Sequence, residues 1–220
     1  MSDSSSEGQR FGGTVAVFFT AHLAAESREW ELIREFGNDY HPLAGYYRSD
    51  DPATVRQQLQ WMRRAGIDLI VYDAYATKKM APSDMAKDRA LPVLIEELAH
   101  QKGESRKLQL CVYIEKYLGN ASLEEFGSAL GYIRQHLSEE SFYFRYHGKP
   151  LVLTYLNGEN RAISEVEWNN TYFSLRRVRP YVTDVWSYVE HYPQSRRKDW
   201  MPVSPGINAF LEKRRPNWVR

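Results

Sequence analysis

A strand-like run followed by an amphipathic stretch recurs along this chain about every 40 residues, and no other feature restricts the fold as much. Runs rich in β-favouring apolar residues stand at 14–20, 67–72, 108–114, 151–155, 172–178 and 182–188, with a last strand and turn at 202–208. Three of the intervening segments carry helical signals. Asp50-Asp51-Pro52 supplies a capping Asp and a Pro in the first turn. Val55, Leu59, Met62 and Ala65 then recur at three or four, and Gly66 stops the helix. The second helix is predicted over 91–101, with Leu91, Leu94, Ile95 and Leu98 facing inward and Gly103 at its end. Ser122-Leu123-Glu124-Glu125 has the form of a capping box and opens a third, through Phe126, Leu130, Ile133 and Leu137. Residues 26–36 are expected to form a short helix with Trp30, Leu32 and Ile33 inward, 142–150 an aromatic connector, and 165–168 a helical or irregular stretch.

Alternation of this kind implies parallel strands joined by right-handed crossovers. The choices are an open doubly wound sheet or a (β/α) barrel. Of these runs we count about five or six as strands of the sheet. A full eight-unit barrel takes ~250 residues, whereas this chain has 220. The expected fold is therefore α/β, a (β/α) TIM-type barrel that is incomplete or truncated. Residues 11–220 are expected to form a single barrel-like domain behind a flexible tail at 1–10.

Composition removes several function classes. A hydrophobic share of 43% and a charged share of 26% are those of an ordinary globular protein. The net charge of +1 supplies no field for nucleic acid or a membrane surface, so neither partner is expected. No run is long and apolar enough to span a membrane. The N-terminus, MSDSSSEGQR, lacks the apolar region of a signal peptide, which predicts a cytoplasmic protein from the sequence as it stands. Cys111 is the sole cysteine and sits inside a predicted strand, so it reads as a small buried hydrophobe in a reducing compartment. No GxGxxG follows a strand, and no Walker-type loop is present. No HExxH, no Cys/His pairing at metal spacing and no GxSxG elbow occurs either. We expect no cofactor and no metal. Nothing in the sequence sets the oligomeric state.

What remains is the set of residues at the strand ends. The stretch 108–119, LQLCVYIEKYLG, is apolar until it breaks into Glu115-Lys116-Tyr117 and exits at Gly119. It delivers a carboxylate to the C-terminal mouth of a buried strand, the edge where parallel α/β folds place their chemistry. The other ends carry His22, Asp73 and Tyr75, Tyr155 and Asn157, Trp186 and Glu190, and Ser204 and Asn208. Carboxylates can exchange protons or stabilise positive charge, amides can bind hydroxyls, and rings can stack on sugar faces. An aromatic share of 14%, with 15 Tyr and 6 Trp, suits a carbohydrate ligand, although the same rings also fill cores. The catalytic candidates are Glu115, Asp73 and Glu190. The candidates for a sugar-binding wall are Tyr47, Tyr75, Tyr117, Tyr155, Asn157 and Trp186. Each also has an ordinary role open to it. Glu115 can pair with Lys116, Asp73 can cap a turn, Asn157-Gly158 is a plain turn signal, and any one ring can be core or rim.

The segment 41–75, HPLAGYYRSDDPATVRQQLQWMRRAGIDLIVYDAY, resembles the opening βα unit of glycoside hydrolase family 99 and its relatives. The residues carrying the likeness are Pro42, Gly45, Tyr47, Ser49, Asp51-Pro52 and Ala65-Gly66-Ile67. Tyr113 to Tyr117, YIEKY, is similar to that family's His-Ile-Glu-Pro-Tyr motif, and GKPLVLTY and VSPGIN resemble its later strands. The resemblance implies a (β/α)8 barrel acting on α-mannosides as a retaining endo-hydrolase. It implies a route through the sugar's own 2-hydroxyl, assisted by one glutamate, with a second glutamate as acid/base. Glu115 matches the first glutamate. The second belongs three residues on, where this chain has Leu118; Tyr113 replaces His and Lys116 replaces Pro. Either another carboxylate, Glu190 or Asp73, does the proton work, or the chain is a non-catalytic carbohydrate-binding relative.

Overall fold

A computed structural model of the chain describes residues 13–21, 47–76, 88–116, 122–156 and 170–177. Six strands and three helices lie there. In chain order they are β1 Ala16–Phe19, α1 Pro52–Arg64, β2 Leu69–Ala76, α2 Ala90–Ala99, β3 Gln109–Lys116, α3 Leu123–His136, β4 Arg145–Tyr146, β5 Lys149–Leu156 and β6 Ser174–Arg177. The strand order is β1-β2-β3-β5-β4, and β6 pairs with β5 off that path. β1 and β2 run parallel with Phe19 opposite Tyr72, and β5 and β6 run parallel with Leu151 opposite Ser174. Among the described residues the sheet does not close on itself. Nor is any helix there long and apolar enough to cross a membrane.

The chain divides into two compact units. The first holds β1, α1, α2, β2 as far as Asp73, the start of β3 and the C-terminal part of α3. Its core is Val55 and Leu59 of α1, Leu69 to Tyr72 of β2, Leu91, Leu94 and Leu98 of α2, Leu110 to Val112 of β3, and Ile133, all at most 2% exposed. The second holds the rest of β2 and β3, the start of α3, and β4 to β6. Tyr113, Ile114, Phe126, Ala129 and Leu151 to Leu153 fill its core.

Local chemistry accounts for the helix ends. The Asp51 carboxylate accepts from the Thr54 backbone N–H at 2.9 Å and the Thr54 hydroxyl at 2.7 Å, with Pro52 in the first turn. At the other end Gly66 takes φ +79°, a conformation that disfavours side chains. Its N–H donates to the Arg63 carbonyl, and that of Ile67 to the Met62 carbonyl. This is the double closure of a Schellman motif. The capping box of α3 is present in both halves. Ser122 N–H donates to the Glu125 carboxylate at 2.8 Å, and Glu125 N–H to the Ser122 hydroxyl at 3.0 Å.

The strands differ from expectation in several places. β2 begins at Leu69 rather than at 67, because Ile67 is used in closing α1, and it runs on to Ala76. β3 likewise continues through Glu115 and Lys116. The aromatic connector contains β4, which turns back on β5 with Tyr146 opposite Lys149. His147 and Gly148 both have positive φ, as a type I′ hairpin turn requires. β6 starts at Ser174, two residues later than expected, because the Asn170 side chain accepts from the N–H groups of Tyr172 and Phe173 and holds them in a turn. The expected tail at 1–10, the helix at 26–36, the stretch at 165–168 and the strands at 182–188 and 202–208 lie outside the described residues.

Candidate active site

The middle of β2 is the best-defined part of the candidate site. Asp73 is partly buried, with its Oδ1 shielded from solvent. The β1–β2 register sets Thr20, just past Phe19, beside Asp73, and its hydroxyl donates to Asp73 Oδ2 at 3.3 Å. One residue earlier, Tyr72 is 1% exposed and its hydroxyl donates to Asp88 Oδ2 at 2.6 Å. The other oxygen of Asp88 accepts the N–H groups of Ala90 (2.9 Å) and Leu91 (3.1 Å), so Asp88 caps α2 from two residues ahead of it. Burial, and then the charge of Asp88, push the Tyr72 phenol far above its usual range. Burial, and then the charge of Asp88, also raise the phenol of Tyr132 in α3.

Tyr47 lies in the same unit, half-buried, before α1. Burial raises its phenol, partly offset by a side-chain hydrogen bond with Gln58. Between Tyr47 and α1 the Asp50 carboxylate accepts two bonds from Arg48, each 2.8 Å, and pairs with Arg89 at 3.0 Å. The hydrogen bonds from Arg48 hold its carboxyl below the usual range. This triad ties the start of α1 to the start of α2. It is not an anion site, because Asp51 and Asp88 beside it leave the cluster with more carboxylates than guanidinium groups.

The remaining predicted residues divide by what is described. The backbone of β3 carries Glu115 as its penultimate residue, and β5 carries Tyr155 as its penultimate residue. Tyr75 lies inside β2 rather than beyond its end, as does Asp73. For Glu115, Tyr155 and Tyr75 the strand position alone is described. Glu190, Tyr117, Asn157 and Trp186 lie outside the described residues, as do His22, Leu118 and His191. Asp73 and Tyr47 belong to the first unit, and the strand positions of Glu115, Tyr155 and Tyr75 to the second. Among the described residues no group of three His, Cys, Asp or Glu side chains could hold a metal ion. Cys111 is fully buried and its thiol is pushed up by desolvation, which is wrong for a nucleophile. Sequence reasoning missed Asp88 and its bond to Tyr72. The signal available was an Asp just ahead of Ala90-Leu91-Pro92, the pattern of a helix start.

Strands alternating with helices, and the parallel pairing of β1 with β2 and of β5 with β6, define a (β/α)-type scaffold. The sequence model described as Glycosyl hydrolase family 99 matches residues 18–176. The chain belongs to that family. The mouse protein described as glycoprotein endo-alpha-1,2-mannosidase is 22% identical over 126 residues, covering 55% of this chain and 26% of the mouse protein. The solved GH99 endo-alpha-mannosidase of Bacteroides thetaiotaomicron, in complex with Bis-Tris-propane, superposes with a TM-score of 0.54. It is 18% identical, and the match covers 74% of this chain and 51% of that one. A solved glycoside hydrolase-like protein gives 0.52, at 14% identity, covering 76% and 51%. These likenesses place the fold in the (β/α)-barrel class, of which the described residues form an open part. The chain spans about half the length of these solved proteins and about a quarter of the mouse protein.

Proposed function

We propose that the chain acts on mannose-containing glycans as an endo-acting, retaining glycoside hydrolase, with Glu115 as the carboxylate that assists the sugar's 2-hydroxyl. The observation that carries this reading is the family match across 18–176, which includes a β3 carrying Glu115 at its C-terminal end. The mouse relative, described as an endo-alpha-1,2-mannosidase, supports the substrate class. Asp73 is our candidate for the proton-exchanging partner, because it sits in β2 with one oxygen shielded from water and the other held by Thr20. Glu190 is the other. Tyr47, Tyr75, Tyr117, Tyr155, Asn157 and Trp186 would line the sugar path. The test is incubation with α-mannan oligosaccharides and measurement of new reducing ends. Glu115→Gln is expected to lower turnover by about 100-fold or more. Unchanged turnover in that variant rules out the role given to Glu115.

Leu118 favours a second reading, because it stands where the family places its second glutamate. A relative that kept the cleft but lost that carboxylate would bind glycans without cleaving them. Calorimetry showing saturable binding, with no reducing ends released, decides for it.

A further inference from the structure

We propose that Tyr72 and Asp88 are positioning residues for the candidate site, tying the middle of β2 to the residue that caps α2 and so fixing Asp73 in place. The inference rests on the reading of Asp73 as a site carboxylate. Successive residues of a strand face opposite ways. Tyr72 is turned to the start of α2, where its hydroxyl meets Asp88 at 2.6 Å, so Asp73 is presented to the other side, where Thr20 meets it. A phenol bonded to a carboxylate in a buried setting makes a short, strong hydrogen bond. The Tyr72 ring is 1% exposed, so water does not compete for that bond. Its raised phenol pKa keeps it a donor throughout the working pH range.

Asp88 already accepts three donors: the Tyr72 hydroxyl and the N–H groups of Ala90 and Leu91. That saturation suits an anchor and not a proton shuttle. The clasp therefore joins residue 72, next to Asp73, to Asp88, 16 residues on, and through it to the first N–H groups of α2. The clasp adds to the pairing of β2 with β1 and β3 and to the longer 3.3 Å contact from Thr20.

The experiment uses the full chain, α-mannan oligosaccharides and four variants. Tyr72→Phe removes the hydroxyl alone, and Asp88→Ala removes the acceptor. Asp88→Asn keeps an oxygen for the two N–H groups and offers an N–H to the phenol oxygen, so it preserves the link without the charge. Asp73→Asn reports the site itself. Tyr72→Phe and Asp88→Ala are expected to lose about tenfold in kcat with KM held, measured well below their Tm, which is ~1.4 kcal/mol of barrier. Asp88→Asn is expected to stay close to wild type. Hydrogen exchange at the Ala90 and Leu91 amides is expected to quicken in Tyr72→Phe. If the protein binds without turnover, the same series is read in Kd, with the same tenfold pattern. Wild-type kcat in Tyr72→Phe and Asp88→Ala, alongside an inactive Asp73→Asn, overturns the positioning role. So does an Asp88→Asn as impaired as Asp88→Ala. Wild-type activity in Asp73→Asn removes the site reading instead, and unchanged exchange at Ala90 and Leu91 in Tyr72→Phe then overturns the clasp separately.

Discussion

Gln101 gives its whole side-chain amide to the backbone of one residue. Its nitrogen donates to the Leu108 carbonyl at 2.9 Å and its oxygen accepts the Leu108 N–H at 2.7 Å, while Arg63 also donates to that oxygen at 3.1 Å. Gln101 is 6% exposed and Leu108 fully buried, so no water can replace these bonds. Gln101→Ala would strand a buried N–H and a buried carbonyl at the start of β3, a loss of roughly 2–3 kcal/mol. Chemical denaturation, with the m-value unchanged, measures it. A drop below half a kilocalorie would mean that the segment relaxes and finds other partners. At this scale the sequence is least informative. Nothing local to Gln101 marks it as the partner of a residue seven positions on, and its position reads as the fraying end of a helix. Asp88 has the same difficulty, since its partner Tyr72 reads as one more apolar strand residue. Asp73 could be singled out because the reason for choosing it, a carboxylate near the end of an apolar run, is local.

The elements show which signals are local. Every determinant of α1 lies within or beside its own 13 residues: the Asp51 cap, Pro52, the buried Val55 and Leu59, and the Gly66 closure. The same holds for the capping box of α3. β4 was not legible, since two residues give no periodicity and its turn is His147-Gly148 rather than the Asn-Gly or Asp-Gly that announces a hairpin. The true ends of β2 and β3 depend on pairing across the sheet, so the sequence stopped them early. Electrostatics at the paired starts of α1 and α2 yields a pH effect. Arg48 holds Asp50 below its ordinary value of 3.8, and bonds from Thr54 do the same for Asp51. Each contribution is fully present above the ordinary value and is lost as the pH falls through the lower folded value. The Tm difference between wild type and Asp50→Asn is therefore expected to narrow from about pH 6 to about pH 2.5. A difference that stays constant over that range would show that the triad acts through packing alone. Arg48 and Arg89 are 49% and 77% exposed, so added salt is expected to shrink the effect.

For the whole molecule, the alternation of strand and helix was enough to reach a (β/α) barrel class. The order β1-β2-β3-β5 follows from βα units laid down side by side. Which carboxylates would pair in a site was out of reach of the sequence, because pairing depends on the fold and not on any spacing along the chain. Membership of the family makes ligand-linked stabilisation a direct test of the proposed substrate class. A bound α-mannan oligosaccharide at about 100 times its Kd is expected to add ~2.7 kcal/mol to the folded state and to raise Tm accordingly. An α-glucan oligosaccharide of the same length is expected to leave Tm unmoved, and an equal rise with both would argue against mannose selectivity. The same fold also contains its own reporter. Cys111 is the chain's single thiol, sealed at 0% exposure in the strand that leads to Glu115. A thiol reagent can reach it only when β3 lets go of its neighbours. The rate of labelling thus times the breathing of that strand without any engineered probe, and slower labelling in the presence of a glycan would register its binding from inside the core.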